Sequence, residues 1–197
     1  MHANLIAFTL FAVATAATPG PNNAMLAASG ASHGLRRSLP HALGVCLGFG
    51  LMVAVVGLGL AGPLSAHPTL HAVLRWVGGA WMLWIAFGIA RSAIATGAPP
   101  RPPMTFLGAA LFQWVNVKAW VMAVATATTY TVPELPLAPQ VLVLSLMFVV
   151  LDVPCALLWV GIGMGAAHVL RSAGQLRAFN VAMAALLVLS VVPLLAG

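Results

Sequence analysis

Six apolar runs follow one another along the chain, separated by short stretches rich in proline, glycine and arginine. They extend over about Leu5–Ala28, Pro40–Leu60, Leu70–Ala90, Met104–Thr129, Gln140–Gly163 and Ala178–Leu195. Each comes near the ~20 apolar residues that one helical crossing of a bilayer core requires. The pattern predicts an all-α polytopic membrane protein with six transmembrane helices, residues 1–197 forming a single transmembrane domain. Ser38 stands where it would cap the second helix. Pro63 and Pro68 mark the outer end of the third, Pro99, Pro100, Pro102 and Pro103 form a stiff linker before the fourth, and Pro133, Pro136 and Pro139 punctuate the next connection. The stretch Leu5–Ala17 has the length of a signal-peptide core. No Lys or Arg precedes it, and apolar residues resume soon after it, so it is predicted to remain as a span.

Polar residues interrupt this pattern at two places. The first is Thr18-Pro19-Gly20-Pro21-Asn22-Asn23. Two prolines remove backbone donors, the glycine loosens the chain, and two carboxamides stand where a lipid-facing helix would carry Leu or Val. The second is Gln113-Trp114-Val115-Asn116-Val117-Lys118 in the fourth run. A broken helix at membrane depth is tolerated only where the freed backbone lies in protein or lines a water-filled cavity. The two interruptions fall in corresponding spans of two halves, about 1–95 and 104–197, which cross the membrane in opposite senses. That is the organisation of an inverted-topology repeat, in which paired interruptions point to a transporter's binding site.

Composition removes most other classes. The chain is 62% hydrophobic and 5% charged, with a mean hydropathy of +1.06. Soluble domains carry about 25% charged residues, so a water-soluble fold is excluded. The net charge of +6 reflects topology rather than nucleic acid, since most of the basic residues fall in connections and they form no dense cluster. Arg36, Arg37, Arg91, Arg101, Arg171 and Arg177 lie on one side of the membrane, and Arg75 and Glu134 on the other. By the positive-inside rule the arginine-bearing side is cytoplasmic, and both termini face out.

Lys118 is expensive so deep in an apolar run and should face the bundle interior. Asp152 is the only acid in any span. The two either form a structural ion pair, or Asp152 exchanges a proton with the cavity while Lys118 holds an anionic group. On a regular helix Gln113 and Asn116 share a face and Lys118 points away, so both sides line one cavity only if the helix unwinds locally or the cavity is wide. Pro154 adds a backbone defect close to Asp152.

The element Thr18–Asn23, with Gly30, Gly34-Leu35-Arg36-Arg37-Ser38 and Gly44-x3-Gly48, resembles the first half of the LysE/RhtB family of amino-acid exporters. Phe112–Trp120 is similar to that family's Asn-Pro-Lys-Ala segment at the matching place. Val117 stands where the family usually has proline, which predicts a less sharply broken fourth helix. The Asn-Val-Lys form resembles the branch exporting cysteine and O-acetylserine. The resemblance implies proton-driven efflux of amino acids or close derivatives across the bacterial inner membrane, and no enzyme activity. A zwitterion needs neighbouring anion and cation sites. Amides freed at Pro19-Gly20-Pro21, with Lys118, suit its carboxylate. Oxygens of Asn22, Asn23 or Asn116, and ionised Asp152, suit its ammonium, and Gln113 lies in the second interruption. The expected partners are therefore a small zwitterionic amino acid, protons and the lipid bilayer, with no nucleic acid; a homodimer is compatible with the sequence.

Other features have plainer readings. Gly44/Gly48 and Gly161/Gly165 are expected to allow close helix contact. His33, His41, His67, His71 and His168 lie near span ends with no metal spacing, and no cofactor is expected. A competing function is a transmembrane thiol–disulfide electron carrier using Cys46 and Cys155, which occupy equivalent spans. It leaves the Pro-Gly-Pro-Asn-Asn break unexplained, and buried cysteines are usually inert.

Overall fold

The computed structural model describes residues 2–60, 68–92, 102–169 and 172–196. Among them every regular element is helical: α1 (His2–Ala17), α2 (Pro21–Val55) running into a π-helical turn (Val56–Leu60), α3 (Pro68–Ser92), α4 (Phe106–Phe112), α5 (Val117–Thr129), α6 (Leu137–Val169) and α7 (Ala173–Ala196). Pro63, Pro99, Pro100, Arg101, His67 and Arg171 lie outside the described residues.

By length and composition Pro21–Gly59 and Leu137–Val169 can each cross a membrane, and α4 with α5 form one broken span bent by 67°. Large apolar side chains on these elements face outward, among them Leu47, Leu51, Val121, Val150 and Leu158. In a soluble protein such surface would be a liability; in lipid it is the solvent-facing side. The chain is a multi-pass helical membrane protein.

As one straight rod, the 39 residues of Pro21–Gly59 would run ~58 Å, about twice a bilayer core. Gly34 divides them. Its φ of 72° lies in the left-handed region, which favours glycine. The bend is sharp, because the Ser29 and Ser38 hydroxyls meet at 2.8 Å although nine residues of straight helix span ~13.5 Å. Ser38 is thus a buried strut across the bend rather than the N-cap its position predicts. The second stretch of α2 begins at once after Gly34, with Pro40 already inside the helix.

The core forms around α2, which packs chiefly on α6 and on α4, while α3 pairs with α7 and α1 lies on α6. Small residues set these distances. A Cβ on Gly30 would strike the Val160 carbonyl, one on Gly163 the Ala27 carbonyl, and those on Gly44 and Gly48 the backbone of Phe106 and Ala110. Gly44-x3-Gly48 therefore does seat a neighbouring helix. Gly161 and Gly165 do not: both open onto empty space, because α6 turns the intervening Gly163 inward. α1 is integral to the fold, with Phe8 and Ala12 fully buried.

Candidate functional site

The site begins with what the first break does to the backbone. Thr18 N–H still reaches the Ala14 carbonyl at 3.1 Å, and α2 makes its first bond from Ala24 N–H to the Gly20 carbonyl at 2.9 Å. Between them Gly20 is fully extended, and Pro21 occupies the first turn of α2, where a missing donor costs nothing. The last carbonyls of α1 need partners. The Asn23 amide nitrogen supplies them, donating to the carbonyls of Ala16 (2.7 Å) and Thr18 (2.8 Å).

The second break lies at Gln113–Asn116, where α4 ends and Asn116 turns to extended backbone before α5. Trp120 Nε1 donates to the freed Trp114 carbonyl at 2.9 Å. The bend of 67° shows that the fourth helix is broken although Val117 stands in place of proline. Val117 is the first residue of α5, a position that needs no N–H, so the chain breaks there with or without proline.

The two breaks meet. Asn22 Nδ2 donates to Gln113 Oε1 at 2.9 Å, and Gln113 Nε2 donates to Asn22 Oδ1 at 3.2 Å and to the Ala109 carbonyl at 2.9 Å. Lys118 Nζ donates to the Thr18 carbonyl (3.1 Å) and hydroxyl (3.0 Å). Gly20 makes room for this: a Cβ there would stand 3.0 Å from Lys118 Cδ and Nζ.

Gly20, Pro21, Asn22, Asn23, Asn116, Lys118 and Asp152 all line one small cavity of about 30 Å³, which is room for a water rather than an amino acid. Beside it runs a groove of about 420 Å³ that shares Thr15, Pro21, Asn116, Lys118 and Met122 and reaches between α1 and α5. Asn116 is 2% exposed, and its Oδ1 has no hydrogen-bond partner among the described residues. A buried acceptor left unmade is costly, so this oxygen marks where a donor belongs. Beyond Phe49 and Phe148 an aromatic cluster closes the cavity, with ring centroids 4.6 Å apart for that pair and 5.6 Å for Phe8 with Phe148.

Seven of the nine residues singled out from sequence therefore come together at one cavity. Pro19 and Gln113 do not line it; Pro19 shapes the break, and Gln113 holds Asn22 from behind. The local unwinding at Gln113–Asn116 brings Asn116 and Lys118 to the same side. Of the two roles open to Lys118, the geometry favours the cavity: it bonds Thr18, and no ion pair joins it to Asp152 among the described residues. Cys46 and Cys155 are free, buried thiols on α2 and α6, with Cys46 beside Asp152. Sequence reasoning does not pick out Thr15, Phe49, Met122 and Phe148. The last three look like any apolar span residue, and Thr15 carries a signal only in its spacing from Thr18.

A family model described as LysE type translocator matches residues 13–196. The cysteine/O-acetylserine efflux protein of Klebsiella pneumoniae subsp. pneumoniae is 36% identical over 127 residues, covering 64% of this chain and 65% of that protein. Those of Escherichia coli K12 and Shigella sonnei are each 31% identical over 185 residues, covering 93% of both chains. No solved structure matches the chain.

Proposed function

This chain belongs to the family of LysE type translocators, and from that premise we propose that it exports a small neutral amino acid of the cysteine/O-acetylserine class by proton antiport. The names of the similar proteins supply the substrate class. The observation that carries the reading is the orphaned Asn116 Oδ1 in a cavity that also holds one cation, Lys118, and one anion, Asp152. That set is complementary to a zwitterion and leaves no second acid for a basic side chain.

In this mechanism the substrate carboxylate takes the Nζ protons that Thr18 now accepts, aided by the amides at the start of α2 and the positive end of its dipole. The ammonium is received by Asn116 Oδ1 and the Asp152 carboxylate. Hydrogen-bond donors and acceptors of this kind act strongly away from bulk water. Protonation of Asp152 removes the negative charge and weakens the ammonium site, so proton entry and substrate release exclude one another. Each cycle thereby exchanges an amino acid for a proton.

Several features support a six-span arrangement in the bacterial inner membrane with both termini outside. α1 with the first stretch of α2 makes one broken crossing, and α4 with α5 makes another. The pairing of α3 with α7 matches third spans of two inverted repeats. Arg91 lies in the last turn of α3, and Arg36 and Arg37 follow the Gly34 bend of α2, the positions that the positive-inside rule assigns to the cytoplasmic side. The redox reading loses ground because nothing in it uses the meeting of the two breaks.

Asp152→Asn tests the coupling. In inside-out vesicles both pH-gradient-driven accumulation and counterflow at low L-cysteine should fall, because the amide, like the protonated acid, offers the ammonium no negative charge. Undiminished gradient-driven accumulation would remove Asp152 from the mechanism.

A further inference from the structure

A second cavity, of about 280 Å³, lies between α2, α3 and the segment that leads into α4, close in sequence to Arg36, Arg37 and Arg91. Its walls include Met25, Trp84 and Met104 together with Ser32, His33 and His41. It shares no residue with the Lys118 cavity or its groove. Its size is just below the roughly 300 Å³ at which pockets for drug-sized ligands begin, so it suits something small.

His41 is 2% exposed, and both of its ring nitrogens lack a hydrogen-bond partner among the described residues; the same holds for both nitrogens of His33. Buried polar atoms are ordinarily paired. A neutral imidazole carries one donor and one acceptor, so the two rings offer two of each to whatever enters. No lysine, arginine, aspartate or glutamate is among the lining residues. Such a site suits a molecule that is itself neutral but has a donor end and an acceptor end. A carboxylate takes an imidazole N–H and an ammonium gives to the other nitrogen.

The cavity also has a track to the central site. Asn22, Met25, Ser29 and Ser32 are spaced three, four and three residues apart on the first stretch of α2, and so share one face. At the inner end of that face Asn22 pairs with Gln113 and lines the Lys118 cavity. We infer that this cavity is a second, transient binding site, in which His33 and His41 receive the zwitterion from the cytoplasm before it passes Asn22 to reach Lys118. The inference rests on the export reading. The absence of those charged side chains from its walls is what transit requires, since a conducting site must bind well enough to admit and weakly enough to release.

The test compares the two faces of the membrane, using L-cysteine kept reduced as the probe. In inside-out vesicles the paired substitution His33→Ala and His41→Ala should raise KM about tenfold, the loss of a hydrogen bond to a charged end of the zwitterion, with maximal rate unchanged. In right-side-out vesicles, KM measured by counterflow from the opposite face should stay at the wild-type value. Ala28→Phe, which fills the cavity and leaves the histidines in place, should act in the same one-sided way. An unchanged KM at the cytoplasmic face in both variants would overturn the site. So would an equal rise at both faces, the result expected if the histidines only support the fold or hold a zwitterionic lipid headgroup. Failure of the wild-type protein to take up L-cysteine would instead overturn the export reading, and this site with it.

Discussion

A carboxamide has a donor end and an acceptor end, and the four around the two breaks are used in different ways. Asn23 spends its nitrogen on the carbonyls of α1, Asn22 and Gln113 satisfy each other, and Asn116 alone keeps a buried oxygen unpaired. Sequence makes all four conspicuous, because polar atoms in an apolar run demand a reason. It cannot sort them, since the sorting depends on which groups lie across the gap. Lys118 and Asp152 are legible for the same reason, whereas Phe49 and Phe148 are not, being apolar among apolar neighbours. Asn116→Leu should therefore raise KM for L-cysteine about tenfold, the effect of losing a hydrogen bond to a charged ammonium. Asn23→Leu should instead lower the thermal stability of the purified protein, because it strands the Ala16 carbonyl and leaves that of Thr18 to Lys118 alone. Reversal of these two outcomes would show that the carboxamides have been assigned the wrong way round.

Among the elements, helix breaks were the more legible part and helix faces the less. Pro-Gly-Pro announces the first break by chemistry that no helix tolerates. The second carries no proline, and its break comes from tertiary demand: Gln113 must reach Asn22 while Lys118 reaches Thr18, and one regular helix cannot aim both. Glycines show the limit of spacing. Gly161 and Gly165 have the spacing of a contact motif but face open space, while the single Gly163 sits on the Ala27 carbonyl; only the partner helix reveals which phase is inward. The structure makes a specific forecast at Val117. It is the first residue of α5, and Asn116 before it is extended at φ −87° and ψ 104°, the conformation that a following proline prefers. Val117→Pro should keep transport at the wild-type rate and stabilise the protein by roughly 0.4–1 kcal/mol in denaturation in detergent. Loss of transport would mean that the second break must straighten during the cycle.

At the scale of the molecule, hydropathy and arginine placement outline the architecture. They leave invisible that the two interruptions, about ninety residues apart, close on one another (Asn22 and Gln113 are separated by 91). That meeting turns two local defects into one site with a cation, an anion and an unpaired oxygen. The most direct measurement is pH-gradient-driven uptake of L-cysteine into inside-out vesicles by wild type and Lys118→Met at matched protein levels. Wild type should accumulate it against competition from lysine, while Lys118→Met should lose about 10- to 100-fold in kcat/KM, the worth of a charged hydrogen bond. Full activity in Lys118→Met would contradict the claim that the meeting of the two breaks is where the zwitterion is held.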